Sequence, residues 1–140
     1  MKKLTAPAIK ARKGGDKITM VTAYDEPSAG IADRAGADII LVGDSVANVV
    51  LGREDTLAMT VDEMVYHTAA VMTAEPSGLV VGDMPWFSYH TPTVEAVHNA
   101  GRLIRDGGAG AVKLEGGRKR LEVVRAVLGA EIPVMGHLGL

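Results

Sequence analysis

Three carboxylates close three successive strand-like segments of this chain. Asp44, Asp83 and Glu115 each follow directly on a short apolar run rich in β-branched residues, and a helix-like stretch precedes each run. Parallel neighbouring strands bring their carboxyl ends together, so we expect the three acids to converge on one mouth of the fold. Grouped carboxylates repel one another unless a hard metal ion or a shared proton compensates. The pattern therefore predicts a metal-assisted active site.

The composition is that of a soluble, packed domain. Apolar residues make up 47% of the 140 residues and charged residues 23%, which suits one hydrophobic core and a single domain over residues 1–140. The net charge is −2 and aromatic residues are few, so nucleic acid is not expected as a partner. The one local basic cluster, Arg118 to Arg120, is interpreted as a solvated first helical turn.

Two further absences limit the expected class of protein. The chain has no cysteine, which excludes disulfide and thiolate chemistry and fits a cytoplasmic location. Its basic N-terminus is followed by no apolar signal region, and no apolar run approaches the ~18 residues that span a membrane. We therefore expect no membrane partner.

Alternating periodicities predict a (βα)4β array. Small residues recur where a helix turns into the next strand, at Gly36 and at Gly110, each between two alanines. Pro27 suits a first helical turn, and Thr60 with Glu63 forms a capping box. The predicted strands are 18–22, 39–43, 79–82, 111–114 and 132–135, and the predicted helices are 27–35, 60–74, 91–107 and 121–128.

Two architectures fit this array. Five parallel strands in 140 residues suit an open doubly wound sheet, whereas a closed (β/α)8 barrel usually takes ~250 residues. The chain ends directly after a strand, without the helix that normally covers the last strand of a doubly wound domain. This ending is expected of an interrupted barrel.

Six segments, spread over the whole chain, resemble ketopantoate hydroxymethyltransferase (3-methyl-2-oxobutanoate hydroxymethyltransferase). The resemblance is carried by their order and spacing together: Val21-Thr22-Ala23-Tyr24-Asp25, Leu41-Val42-Gly43-Asp44-Ser45, Tyr66-His67-Thr68, Gly82-Asp83-Met84-Pro85, Val112-Lys113-Leu114-Glu115-Gly116-Gly117 and Gly136-His137-Leu138-Gly139-Leu140.

That resemblance implies a fold, an activity and a cofactor. The family forms a (β/α)8 TIM barrel, of which this chain would supply about the first five βα units, and it assembles as a homo-oligomer, a decamer. Its members use Mg²⁺ or another divalent metal. They transfer a hydroxymethyl group from 5,10-methylenetetrahydrofolate to 3-methyl-2-oxobutanoate in pantothenate biosynthesis. The family's glutamate base would lie beyond Leu140, so we expect residues 1–140 alone to be inactive.

The resemblance also implies ligand roles for the three acids. Asp44 is the expected direct metal ligand, with Asp83 close to the ion and Glu115 acting largely through water. Because Mg²⁺ takes only one or two carboxylates and keeps several waters, the three need not all bind it directly. Asp44 and Asp83 are also expected to bind the substrate.

Three further side chains are predicted to serve the substrate. Ser45 could donate a hydrogen bond to the 2-oxo acid carboxylate. Lys113 lies on the same strand face as Glu115, where its cation would stabilise the bound anion and the enolate. His137 could hydrogen-bond the substrate or its developing alkoxide. Lys113 and His137 are therefore the catalytic candidates.

Each functional reading has a structural alternative. Lys113 could form a structural salt bridge with Asp83 or Glu115, because burying an unpaired ammonium costs several kcal/mol. His137 could be an ordinary loop histidine. Tyr24 and Asp25 are interpreted as a cap of the first predicted helix, and His67 as helix packing.

Other classes of protein share parts of the pattern. The isocitrate lyase and phosphoenolpyruvate mutase superfamily uses a Mg²⁺-bound 2-oxo acid and a similar Gly-Asp-Ser strand end, but it normally carries a reactive cysteine that is absent here. A phospho-receiver module matches the (βα)5 size, but it needs a lysine after its fifth strand, where this chain has Gly136-His137. An inactive half-barrel fragment is the third alternative.

Overall fold

Five parallel strands form one sheet in the order β1-β2-β3-β4-β5 in a computed structural model, which describes residues 3–139. This order confirms the sequential arrangement expected of a barrel-like array and contradicts the 2-1-3-4-5 order of a receiver-type open sheet. The strands are β1 (Met20–Thr22), β2 (Ile39–Val42), β3 (Leu79–Asp83), β4 (Ala111–Glu115) and β5 (Val134–His137).

Helices connect the strands and precede the first one. They are α1 (Ala6–Ala11), α2 (Glu26–Arg34), α3 (Val46–Val49), α4 (Val61–Met72), α5 (Thr93–Arg105) and α6 (Leu121–Gly129), with a 3₁₀ turn at Gly117–Arg120 before α6. No helix among residues 3–139 is both long enough and apolar enough to cross a bilayer.

Capping boxes fix where two of these helices begin. Asp25 caps α2 reciprocally with Ser28, and Thr60 caps α4 reciprocally with Glu63. The predicted cap of Asp25 and the Thr60–Glu63 box are both confirmed. The predicted helix start at residue 91 is wrong by two residues, because α5 begins at Thr93 with Pro92 at its N-cap position and no side-chain cap.

The three central strands, β2 to β4, are buried on both faces by different partners. Ile40, Val42, Val80 and Val112 face the helices and are almost fully buried, as the strands of a covered parallel sheet should be. Burying each such side chain contributes roughly 1.5–3 kcal/mol. On the opposite face a second cluster packs against Leu4, Ala6 and Ile9; its members are Ile39, Leu41, Leu79, Val81 and Ala111.

That second face leads directly to the polar end of the sheet. Leu79, Val81 and Asp83 alternate along β3, so they project from one face, with the carboxylate last. Helix α1 packs under the apolar residues of this face. The candidate site therefore lies above an apolar layer.

Three local predictions are wrong. The fifth strand is Val134–His137 rather than 132–135, because the Ile132 N–H donates to the Val127 carbonyl at the end of α6 and Pro133 has no N–H to give. The segment 46–59, expected as a loop, contains α3. Helix α1 was not expected either, and its six residues present no long hydrophobic period.

Glycine is required at positions 36 and 110, where a helix leads into the next strand, for two different reasons. Gly36, just after α2, has a φ of +83°, and no heavy atom lies within 4 Å of the position a Cβ would take. Gly110 keeps a negative φ, and a Cβ there would lie 2.6 Å from Leu79 Cδ1. The sequence repeat is therefore served by backbone conformation at one junction and by close packing at the other.

A matched pair of glycine substitutions tests the junction at Gly36. Gly36→Ala should lower the free energy of unfolding by about 1–2 kcal/mol, because alanine is strained in the left-handed region. Gly101→Ala, within α5 and equally free of neighbours, should raise it by about 0.5–1 kcal/mol. Urea unfolding followed by circular dichroism measures both, and changes of the same sign would contradict this account.

Candidate functional site

A buried ion pair joins the carboxyl ends of β3 and β4. Asp83 and Lys113 lie opposite one another in the parallel register, and Lys113 Nζ is 2.7 Å from Asp83 Oδ1. Their side chains are 6% and 10% exposed, respectively. The salt bridge foreseen as the alternative role of Lys113 is thus present, and it sets the ammonium at the predicted mouth of the fold.

Asp44 approaches this pair from the neighbouring strand. It follows β2 by two residues, and its backbone N–H donates to Asp83 Oδ2 over 3.2 Å. Burial raises the pKa of Asp83 to about 6, the nearby Lys113 ammonium opposes the rise, and the charge of Asp44 adds to it. Two of the three predicted acids therefore meet here.

The loop between α3 and α4 lies next to Asp44. Burial raises the pKa of Asp44, the Lys113 ammonium opposes that rise, the Glu115 charge adds to it, and the nearby Thr56 side chain lowers it. Arg53 anchors this loop by pairing with Glu63 at the start of α4. No role was predicted for Arg53, and in the structure it anchors this loop through its ion pair with Glu63.

Glu115 lies at the outer side of the ion pair. Its Oε1 is 3.7 Å from Lys113 Nζ and 2.7 Å from His137 Nδ1, and its side chain is 53% exposed. The register sets Glu115 directly opposite His137 on β5. Glu115 therefore links the lysine to the histidine, and His137 ends a strand instead of lying in a loop.

Ser45 lies on the other side of Asp44 and contacts a residue that sequence reasoning had assigned to a cap. Its Oγ is 2.9 Å from the hydroxyl of Tyr24. Gly43 leaves the room for this hydroxyl, because a Cβ there would lie 2.9 Å from Ser45 Oγ and 3.7 Å from Asp83 Oδ2.

The donor set suits a cation held by few protein ligands. Three carboxylates face one ammonium, and the pKa of Asp44 and of Asp83 is raised partly by neighbouring negative charge, which a bound cation would relieve. Within residues 3–139, no group of three or more His, Asp or Glu side chains is arranged as a metal cluster. A Mg²⁺ ion bound to one or two carboxylates, with water or substrate oxygens as its other ligands, fits that arrangement.

The structure thus brings all six predicted site residues to one mouth: Asp44, Ser45, Asp83, Lys113, Glu115 and His137. Sequence reasoning missed Tyr24, Thr56 and Tyr89. Burial raises the pKa of the Tyr89 phenol, and the charges of Glu115, Asp83 and Asp44 add to the rise. Tyr24 could have been identified from the sequence, because it follows β1 as the acids follow their strands. Thr56 and Tyr89 lie in loops, and no sequence pattern marks them.

Comparisons with known proteins agree on one family. The family model described as ketopantoate hydroxymethyltransferase matches residues 3–140. A 3-methyl-2-oxobutanoate hydroxymethyltransferase of Moorella thermoacetica is 58% identical over 139 residues, which cover 99% of this chain and 52% of that protein. The enzyme of the same name from Syntrophomonas wolfei is 53% identical, over 100% of this chain and 51% of its own length. The chain spans about half the length of the curated relatives it matches.

Solved structures share the fold at much lower identity. A 2,3-dimethylmalate lyase, described as a PEP mutase/isocitrate lyase superfamily member, matches 95% of this chain and 52% of its own, with a TM-score of 0.69 and 22% identity. A phosphonopyruvate hydrolase matches 97% of this chain and 52% of its own, with a TM-score of 0.75 and 16% identity. At these identities the likeness concerns the α/β fold alone.

The ion pair predicts a measurable titration. Asp83 should titrate near pH 6, and Lys113→Met should move that midpoint upward because the ammonium opposes the rise in pKa. Carbon-13 NMR of the aspartate carboxyls measures both midpoints. Lys119→Met, which removes an exposed ammonium, is the matched control and should leave the Asp83 midpoint in place. An unchanged midpoint in Lys113→Met would contradict the pairing.

The same shift has a defined effect on stability. Because the pKa of Asp83 is higher in the folded chain than its ordinary value of 3.8, the folded state binds this proton more tightly than the unfolded state. Its contribution to the free energy of unfolding is full below about pH 4 and is lost as the pH rises through about 6, a change of at most about 3 kcal/mol. Urea unfolding between these pH values should show that loss superimposed on the rest of the chain's titration.

Proposed function

Because this chain belongs to the ketopantoate hydroxymethyltransferase family, we propose that it supplies the 2-oxo acid site of a 3-methyl-2-oxobutanoate hydroxymethyltransferase. The reaction joins C3 of 3-methyl-2-oxobutanoate to the methylene carbon of 5,10-methylenetetrahydrofolate. Water supplies the hydroxyl group, and tetrahydrofolate and 2-dehydropantoate leave. The observation that carries the proposal is the buried Asp83–Lys113 pair beside Asp44 and Ser45, at the carboxyl ends of three parallel strands.

Lys113 and Ser45 are the groups that would hold the substrate's anionic end. An ammonium that is 10% exposed is shielded from water, so its attraction for a carboxylate or an enolate oxygen is stronger than at the surface. Asp83 keeps the ammonium in position through the 2.7 Å contact. The Ser45 hydroxyl would donate the second hydrogen bond to the carboxylate.

Asp44 and Asp83 would hold the divalent metal, Mg²⁺ by family resemblance. When bound, the ion supplies Lewis-acid stabilisation to the negative charge that develops on the keto oxygen. Asp44 is partly buried and Asp83 is buried, which limits the hydration of both carboxylates. Lys113 is the cation named as lowering the pKa of each, so their negative charge is only partly compensated.

Glu115 and His137 would face the one-carbon donor. Next to them is a cavity of about 190 Å³ whose lining combines aromatic rings with two cations: Trp86, Tyr89, His90, Glu115, Gly116, Lys119 and Arg120. An aromatic, anionic co-substrate such as a reduced folate suits that lining. His137 could then hydrogen-bond the developing alkoxide from the same side.

The proposal extends to the rest of the barrel. Because the curated relatives are about twice as long as this chain, we propose that further strands continue the sheet beyond β5 into a (β/α)8 barrel. The family's glutamate base would come from that part, and assembly into a decamer would follow the family. The lyase alternative is not favoured, since the named lyase shares 22% identity where the hydroxymethyltransferases share more than half of their residues.

Calorimetric titration tests the metal site. Asp44→Asn and Asp83→Asn should each weaken Mg²⁺ binding, measured with 3-methyl-2-oxobutanoate present, by at least about tenfold, because each removes a negative oxygen ligand. Lys113→Ala should weaken binding of the 2-oxo acid by roughly tenfold or more, and that of the metal by less. Glu122→Gln, an exposed acid on α6, is the control.

Two outcomes of these titrations would contradict the assignment. An unchanged Mg²⁺ affinity in the doubly substituted Asp44→Asn/Asp83→Asn chain would mean that the metal lies elsewhere. An equal loss of metal and 2-oxo acid affinity in Lys113→Ala would mean that the lysine serves only the structure of the pair.

Deuterium exchange tests where the base lies. In heavy water without folate, this chain alone should exchange the C3 proton of 3-methyl-2-oxobutanoate about 10²- to 10⁴-fold more slowly than the chain fused to the remaining part of the Moorella thermoacetica relative. NMR follows the exchange, and it reports proton abstraction independently of transfer. Equal rates would show that the base lies among residues 1–140, with His137 the first residue to substitute.

A further inference from the structure

We infer that Tyr24 is a positioning residue, whose hydroxyl aims the Ser45 hydroxyl at the carboxylate of the bound 2-oxo acid. The inference rests on the proposed function, because it assigns Ser45 to that carboxylate. Its own observation is the 2.9 Å contact between the Tyr24 hydroxyl and Ser45 Oγ, which joins the end of β1 to the end of β2 across 21 residues of sequence.

Tyr24 is held in place through its backbone, independently of its hydroxyl. Its N–H donates to Ser28 Oγ over 3.2 Å, at the capped start of α2. Its carbonyl lies 2.9 Å from Nδ1 of His67 on α4. A carbonyl can only accept, so Nδ1 of His67 must carry the proton. Two helices thus fix the residue while its phenol reaches Ser45.

Ser45 has no competing structural use for its hydroxyl. It occupies the N-cap position of α3, yet it makes no side-chain capping bond. The missing side chain of Gly43 leaves space around Ser45 Oγ, since a Cβ there would lie at 2.9 Å. No capping bond therefore fixes the Ser45 hydroxyl, and the contact with Tyr24 is what restricts its rotation.

The direction of the hydrogen bonds follows from the charge of the ligand. A carboxylate only accepts, so in its presence Ser45 must donate outward, and its oxygen is then left to accept from Tyr24. A donor chain from tyrosine to serine to carboxylate is polarised along its length, which strengthens the outer bond. Donation from Tyr24 therefore sets the Ser45 oxygen where the outward bond to the carboxylate is made.

A double substitution separates this role from a structural one. Oxalate and 3-methyl-2-oxobutanoate, each with Mg²⁺, are titrated calorimetrically into the 140-residue chain and into the same chain fused to the remaining part of the Moorella thermoacetica relative. Tyr24→Phe should weaken binding of both acids roughly 3- to 10-fold, the range of one lost hydrogen bond. Ser45→Ala should weaken it at least as much, and the double variant should bind like Ser45→Ala.

Two further variants control the design. Tyr66→Phe removes a phenol hydroxyl from a residue that is 71% exposed and lies edge-on to His67, and it should leave binding unchanged. His67→Ala frees the Tyr24 carbonyl and should weaken binding less than Tyr24→Phe does, because the hydroxyl pair can still form. The melting temperature is measured for each variant, since a merely structural role would lower it without coupling the two hydroxyls in binding.

Each outcome bears on one claim. Binding by Tyr24→Phe that equals the unsubstituted chain, or losses that add in the double variant, would overturn the inference while leaving the proposed function intact. If neither the chain nor the fused chain binds oxalate or 3-methyl-2-oxobutanoate, the proposed function fails and the inference with it.

Discussion

The buried ion pair between Asp83 and Lys113 is the interaction on which the rest of this site depends. Two side chains that are 6% and 10% exposed must satisfy each other, because leaving either charge unpaired in such a place costs about 3–5 kcal/mol. The parallel register of β3 and β4 sets them opposite one another, and it is therefore the fold that fixes their contact. Everything else at the mouth is arranged around a charge pair that is already in place.

The pair also organises the groups on either side of it. Toward β2, Asp83 accepts the backbone N–H of Asp44, which brings a second carboxylate next to the first; burial raises the pKa of Asp83, and the charge of Asp44 adds to that rise. Toward β5, Glu115 extends the contact to His137. The site has more negative than positive charge, so its carboxylates repel one another in the ligand-free chain. A divalent cation bound together with a 2-oxo acid would relieve that repulsion.

Sequence periodicity predicted the strands and the site acids, and the family resemblance added the sequential strand order of a barrel. Short β-branched runs ending in Asp44, Asp83 and Glu115 predicted parallel neighbours, and the sheet confirms that these acids share one end. The same alternation placed Lys113 on the face of Glu115. These features are predictable because they depend on local pattern and on one rule of strand geometry.

What escaped prediction depends on contacts between distant segments. The Tyr24–Ser45 hydroxyl pair, the influence of Thr56 on the pKa of Asp44 and the anchoring of its loop by Arg53 join residues whose side chains carry no periodic signal. The fifth strand was predicted two residues too early, because hydropathy favours a strand that begins at Ile132. In the structure the Ile132 N–H instead donates to the Val127 carbonyl at the end of α6. Side-chain contacts decided the first three features and a local backbone hydrogen bond decided the last, between alternatives that the sequence left equal.

Anomalous diffraction from crystals grown with Mn²⁺ and oxalate tests the central claim most directly, since the ion can be located without assumption about its ligands. The account predicts one strong anomalous peak within direct-ligand distance of a carboxylate oxygen of Asp44 or Asp83, or of both, with oxalate oxygens completing its coordination beside Lys113 and Ser45. A peak bound elsewhere on the chain, or oxalate bound at this mouth without the ion, would contradict it.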